Sequence, residues 1–94
     1  MNNINNRVPN SHLQAHEGTV NGITLIEFSP VPHEVSFTND SATGTLKFRV
    51  SDEDQTLNYN WATLRPNETI TLQISTRFIE LSGSNVEYRV WGLG

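Results

Sequence analysis

Five runs of this chain alternate apolar and polar residues with a period of two. They are Val35 and Phe37; Leu46, Phe48 and Val50; Leu57, Tyr59 and Trp61; Ile70, Leu72 and Ile74; and Val86, Tyr88 and Val90. A period of two turns one face of a strand into a core and the other toward water or a partner. No run with helical spacing exceeds a turn, and there is no repeat and no heptad. The pattern therefore predicts an all-β, antiparallel domain.

Ninety-four residues make one domain. A chain of this size buries only about 60–65% of the surface its unfolded form exposes, enough for a thin two-layer core. There is no cysteine to staple it, which fits a protein assembled in a bacterial cytoplasm better than a small secreted domain. The net charge is −4, and the six basic residues, Arg7, Lys47, Arg49, Arg65, Arg77 and Arg89, are scattered. Nucleic-acid binding would call for a basic stripe. No apolar run reaches membrane-spanning length, and the polar start from Met1 to Pro9 does not read as a signal peptide.

Residues 1–18 differ in kind from the rest. Asn2, Asn3, Asn5, Asn6 and Asn10 crowd a stretch whose sizeable apolar residues are Met1, Ile4, Val8 and Leu13. Such a segment cannot offset its own ordering entropy, so it is expected to be an extended arm held by a neighbour. Residues 19–94 are the expected β-domain. Its first strand is placed at Thr19–Ser29, with a bulge or sheet switch at Leu25-Ile26, and Pro30 and Pro32 end it.

Local pairing suggests hairpins. Closing Asn39–Gly44 sets Phe37 opposite Leu46 and Val35 opposite Phe48; closing Ser51–Thr56 sets Phe48 against Tyr59 and Leu46 against Trp61. In an immunoglobulin-like sandwich some of these connections would instead cross between sheets. Arg65-Pro66-Asn67-Glu68 has the composition of a type II turn, with Asn67 at the position needing positive φ. A last hairpin turning at Ser82–Asn85 pairs Ile79 with Tyr88. It leaves Phe78 and Arg89 opposite each other on the outer face, with Trp91 as a diagonal neighbour. Aromatics flanking an arginine have the composition of a protein–protein hot spot.

Other constellations are weaker. His12 and His16, followed by Glu17, have a helical zinc spacing but too short a helix and no further ligands. Asp52-Glu53-Asp54 lacks the regular ligands of a calcium loop and reads as a solvated tip. Asn39-Asp40-Ser41 and Asn67-Glu68-Thr69 match glycosylation sequons that arise by chance in so polar a chain. His33, the only histidine of the β-region, has no nucleophile motif around it. No catalytic residue, cofactor or metal is expected, and the chain does not read as an enzyme.

Four segments carry a resemblance: the strand ending Phe37-Thr38-Asn39-Asp40; Gly44-Thr45-Leu46 after a short loop; the turn Pro66-Asn67-Glu68-Thr69 leading into Ile70; and the closing Tyr88-Arg89-Val90-Trp91-Gly92. From about Val35 onward the chain resembles small structural proteins of tailed bacteriophages. The resemblance implies a virion component assembled in the host cytoplasm, foremost a capsid decoration (cement) protein that docks on the shell and stabilises it. A tail, baseplate or head-fibre adaptor is the alternative. The implied architecture is a two-sheet sandwich of about seven strands, immunoglobulin-like or jelly-roll-like, with an extended N-terminal arm. Implied partners are the major capsid protein or other virion proteins and further copies of the chain, a trimer being favoured, with no nucleic acid and no membrane. Contacts are expected from Asn2, Asn3, Ile4, Val8 and Leu13 of the arm and from Phe78, Arg89 and Trp91. A carbohydrate-binding module, with Trp61 or Trp91 stacked on a sugar ring, is the reading from a different class.

Overall fold

Strand β6, Phe78–Leu93, organises the molecule. The structure is a computed structural model that describes residues 13–56 and 59–94. Five further strands precede β6: β1 (Leu13–Glu27), β2 (Glu34–Asn39), β3 (Leu46–Ser51), β4 (Ala62–Leu64) and β5 (Thr69–Leu72). All pairings are antiparallel, and the described residues contain no helix. The six strands belong to a single sheet, which curls into a half-barrel.

The registers explain the curl. β1 runs along one edge of β6 for its whole length, from Leu13 opposite Leu93 to Glu27 opposite Phe78. The other edge is shared: Phe78–Ser82 pair with β3, and Tyr88–Leu93 pair with β2. β4 then lies outside β3, and β5 outside β2. The sheet is thus four tracks wide, with β2 running on into β3 and β4 running on into β5.

This sheet is folded across its middle. Phe37 sits level with Val90, and Phe48 with Leu81, nine residues earlier on β6. In a flat sheet they would lie about 30 Å apart. Their rings are instead stacked with centroids 4.1 Å apart. On the β1 side, His16 pairs with Val90 at the far end of the strand from Phe28, yet the two rings meet edge-on at 5.5 Å.

The crease crosses all four tracks. In β1 and β6 it is a bulge: Val20 faces Val86 and Gly22 faces Gly83, so Asn21 opposes both Ser84 and Asn85. An extra residue on one strand bends and twists it; Gly22 (φ 100°) and Asn85 (φ 55°) supply the positive φ. In the other two tracks the crease is the loop 40–45 and the turn Arg65–Glu68. Close approach is required there, because a Cβ on Gly44 or Gly83 would lie 2.8 Å from Val86 Cγ2. Asn39, fully buried, rivets the crease: its Nδ2 donates to Gly44 O (2.8 Å) and Leu64 O (3.1 Å), and its Oδ1 accepts from Ser41 N (2.9 Å).

The fully buried residues Val20, Phe28, Val35, Phe37, Leu46, Ile79, Leu81 and Val90 all lie between the two halves. Of the apolar residues read from the period-two alternation, Val35, Phe37, Leu46, Phe48, Val86 and Val90 belong to this core, whereas Tyr59 and Ile70 are exposed. Strand pairing differs from the sequence expectations in five places. The 40–45 connection crosses the crease instead of closing a hairpin, so Phe37 meets Phe48 face to face. β3 pairs with β4 through Leu46 and Leu64, not Leu46 and Trp61. That odd-numbered shift puts Trp61 on the outer face. Ser82–Asn85 is no turn but the bulge inside one sixteen-residue strand. The bulge of β1 falls at Val20/Gly22 rather than Leu25-Ile26. Finally, β1 starts at Leu13, so Leu13–Gly18 pair with Tyr88–Leu93. The turn at Asn67 has the expected positive φ of 64° and a Glu68 N to Arg65 O bond of 3.1 Å.

Candidate functional site

The outer surface of β6 carries two ion pairs in contrasting surroundings. On the half that pairs with β3, Glu80 is only 2% exposed. Arg49 Nε, from the neighbouring strand, donates to its Oε1 at 2.8 Å, and Gln55 Nε2 donates to its Oε2 at 2.8 Å. Burial alone would raise the Glu80 pKa. The bonds from Arg49 and Gln55 and the Arg49 charge outweigh it and hold the carboxyl below its ordinary value. The Arg49 guanidinium lies 4.0 Å from the centre of the Trp61 ring and its Nη1 donates to Tyr59 O at 3.2 Å. The segment after β3 thus caps this face.

On the half that pairs with β2, no described residue covers the same face. Residues 89, 91 and 93 of β6, 13, 15 and 17 of β1, and 34, 36 and 38 of β2 all point outward. Arg89 makes a two-pronged bond to Asp40 at 2.7 and 3.0 Å. Those bonds, then the Asp40 charge and that of Glu17 opposite, raise its pKa. Its guanidinium is 5.6 Å from the ring centre of Trp91. Trp91 is 39% exposed, Leu93 42% and Leu13 60%. Beyond them runs a row of bonded polar groups: Thr38 with Thr69 at 3.0 Å, Thr71 to Ser36 at 3.2 Å and Gln73 to Glu34 at 2.6 Å. The result is an outer face with Leu13, Trp91, Leu93 and the Arg89–Asp40 pair at its centre and bonded polar groups along the β5 side.

Leu13, Arg89 and Trp91 are therefore brought together. Leu13 faces Leu93, two residues along from Trp91. Phe78 is not part of this group. It faces Glu27 and Ser51 at the other end of β6, beside Arg77, whose guanidinium is 5.5 Å from its ring. The expected opposition of Phe78 and Arg89 fails because both lie on one strand. Asn2, Asn3, Ile4 and Val8, as well as His12, lie outside the described residues. His16 is on a strand with its ring against Phe28. Asp52 closes its own loop by accepting from Thr56 N and Oγ1. Asn39 of the first sequon is fully buried in the folded chain. Among the described residues no group of three or more His, Cys, Asp or Glu side chains is placed to hold a metal ion.

A second feature escaped the sequence reading. The half-barrel is open on the side of β4 and β5, where a cleft of about 380 Å³ reaches the Phe37–Phe48 stack. Its walls are mainly apolar, from Val50 and Ala62 on one half and Leu72 and Ile74 on the other, with Tyr59, 56% exposed, also lining it. Sequence alternation marked these side chains as core without showing that the sheet stops short of covering them. Comparison with protein-family models, curated proteins and solved structures finds no match to the chain.

Proposed function

We propose that the chain is a non-catalytic docking part of a larger assembly, a capsid decoration protein of the kind its sequence resembles. The observation that carries the reading is the outer face around Trp91. A tryptophan, an arginine already oriented by Asp40, and two exposed leucines share one outer surface with polar groups along its β5 side. Buried aromatic and arginine anchors inside a polar rim are the usual anatomy of protein interfaces. The segment preceding Leu13, with Asn2, Asn3, Ile4 and Val8, would serve as a second attachment. Many copies on one shell would add avidity. The sandwich-like layering belongs to the same proposal: two halves of one creased sheet act as the two leaves. A tail or fibre adaptor would use the same surface.

The test is co-sedimentation with particles of the phage whose genome encodes the chain. Trp91→Ala and Arg89→Ala are each expected to weaken binding by tenfold or more while leaving the fold intact. Undiminished binding by both variants would refute the surface. The polar border beside Trp91 also supports a saccharide reading, in which the ring stacks on a sugar. A glycan array binding wild type but not Trp91→Ala would favour that reading over the protein interface.

A further inference from the structure

We infer that the open cleft is the receptor for the N-terminal segment of a second copy of the chain. In this arrangement residues 1–8 of one copy lie along the free edge formed by β4 and β5 of another, turning Ile4 and Val8 into the cleft. The inference rests on the docking reading only for the role of the arm.

Three observations carry it. First, among the described residues β4 pairs only with β3, and β5 only with β2. Each strand keeps an outer edge that no described residue pairs with, at the place where no described residue covers the core. An added strand would satisfy that edge and cover the Phe37–Phe48 stack, as in β-augmentation. Ile4 and Val8, four apart, project to the same side of such a strand.

Second, the length of chain ahead of β1 selects a second copy over the same chain. Leu13 lies in the first track, and β6, β2 and β5 lie between it and the free edge. At about 4.8 Å per strand the crossing takes about 19 Å, or about six extended residues. A chain folding back on itself would spend residues 7–12 on the crossing, leaving Val8 outside the cleft. An arm from a neighbour has no such constraint and delivers both residues.

Third, charge favours the match. Arg7 is the only charged side chain of residues 1–12 apart from His12, whereas residues 13–94 hold all ten acids against five Lys and Arg. Asp52, Glu53 and Asp54 follow directly from the Val50 wall of the cleft. Arg7, next to Val8 on the inserted strand, would approach that lip. Each copy gives one arm and receives one. Such head-to-tail contacts close into a ring if the rotation allows.

The absence of native cysteine makes the test direct. Chains carrying only Ile4→Cys are mixed with chains carrying only Ala62→Cys, a substitution at an exposed cleft position, and oxidised. The mixed disulfide is expected to form at least tenfold faster than with Thr43→Cys, an exposed position at the crease. Light scattering should show a concentration-dependent oligomer for the full chain and a monomer when residues 2–12 are deleted. Equal rates at positions 62 and 43, an oligomer that survives the deletion, or a monomeric full chain would overturn the inference. So would a rapid disulfide within single chains carrying both Ile4→Cys and Ala62→Cys at high dilution, which would place the arm in its own cleft. Self-association is read without particles, and particle binding through Trp91 without self-association, so the two proposals fail separately.

Discussion

The two halves of β6 carry the same kind of ion pair and use it differently. Arg49 and Glu80, 2.8 Å apart, have side chains 15% and 2% exposed; Arg89 and Asp40, 2.7 Å apart, have side chains 43% and 32% exposed. The first pair is sealed by Gln55 and Trp61 and fastens a long connection to the sheet. The second stands in solvent beside Trp91, on the face proposed for docking. Burial decides which role a pair plays: a buried charge without its partner is costly, and an exposed one is not. The closed half is therefore where substitutions should damage the fold, and the open half where they should damage binding alone.

The largest effect is expected from Arg49→Ala. It strands the Glu80 carboxylate under its cap and should cost about 3 kcal/mol in chemical denaturation. If the loss were as small as that of an exposed pair, the sealed half would not be sealed. Next comes Asn39→Ala, which removes the side chain bonded to Gly44 O, Leu64 O and Ser41 N at the crease. Leaving such buried groups without partners should cost on the order of 2–3 kcal/mol. Gly83→Ala, whose added methyl meets Val86, should cost about 1–3 kcal/mol by overpacking. A neutral result would mean that the bulge can shift Val86 without penalty.

The pH dependence sharpens the contrast. The Glu80 pKa is lowered from 4.5 in the fold, so the unfolded chain takes up its proton first as the pH falls. The stability supplied by the pair is fully present above pH 4.5 and is lost as the pH drops through the lower folded value. Denaturation midpoints of wild type and Arg49→Ala should converge below that window. The smallest expected effect on stability is that of Arg89→Ala, within the error of a denaturation curve.

Alternation identified the inward faces of β2, β3 and β6, but not that of the run with Tyr59, which is exposed, and Trp61, which lies on the outer face against Arg49. Val35 with Phe37, Leu46 with Phe48, and Ile79 with Leu81 are buried because a period of two reports which side of a strand is covered. It does not report which strand lies alongside. A hairpin at 39–44 and a crossing of the crease give Phe37 and Leu46 the same inward direction, so local pairing chose the shorter loop. The signal that could have separated them is a polar residue on an apolar face: Asn39 continues the inward series of Val35 and Phe37. Gly44 and Gly83, both against Val86, mark where layers touch. Arg89 and Trp91 were legible as outward residues, whereas Leu13 was expected in the arm and not on a strand, and the separation of Phe78 depends on a bulge that residue types alone disguise as a turn. The cleft was not legible, since an uncovered core residue looks in sequence like a covered one.

The central claim is that the open half of the sheet binds and the closed half holds the fold, and its two tryptophans test this most directly. Trp91→Ala and Trp61→Ala should each be measured for unfolding stability and for co-sedimentation with particles. The account predicts that Trp91→Ala loses binding at unchanged stability, whereas Trp61→Ala, which uncovers the Arg49 guanidinium, loses stability and keeps binding under conditions where it remains folded. The reverse assignment, or binding unaffected by either, would contradict it.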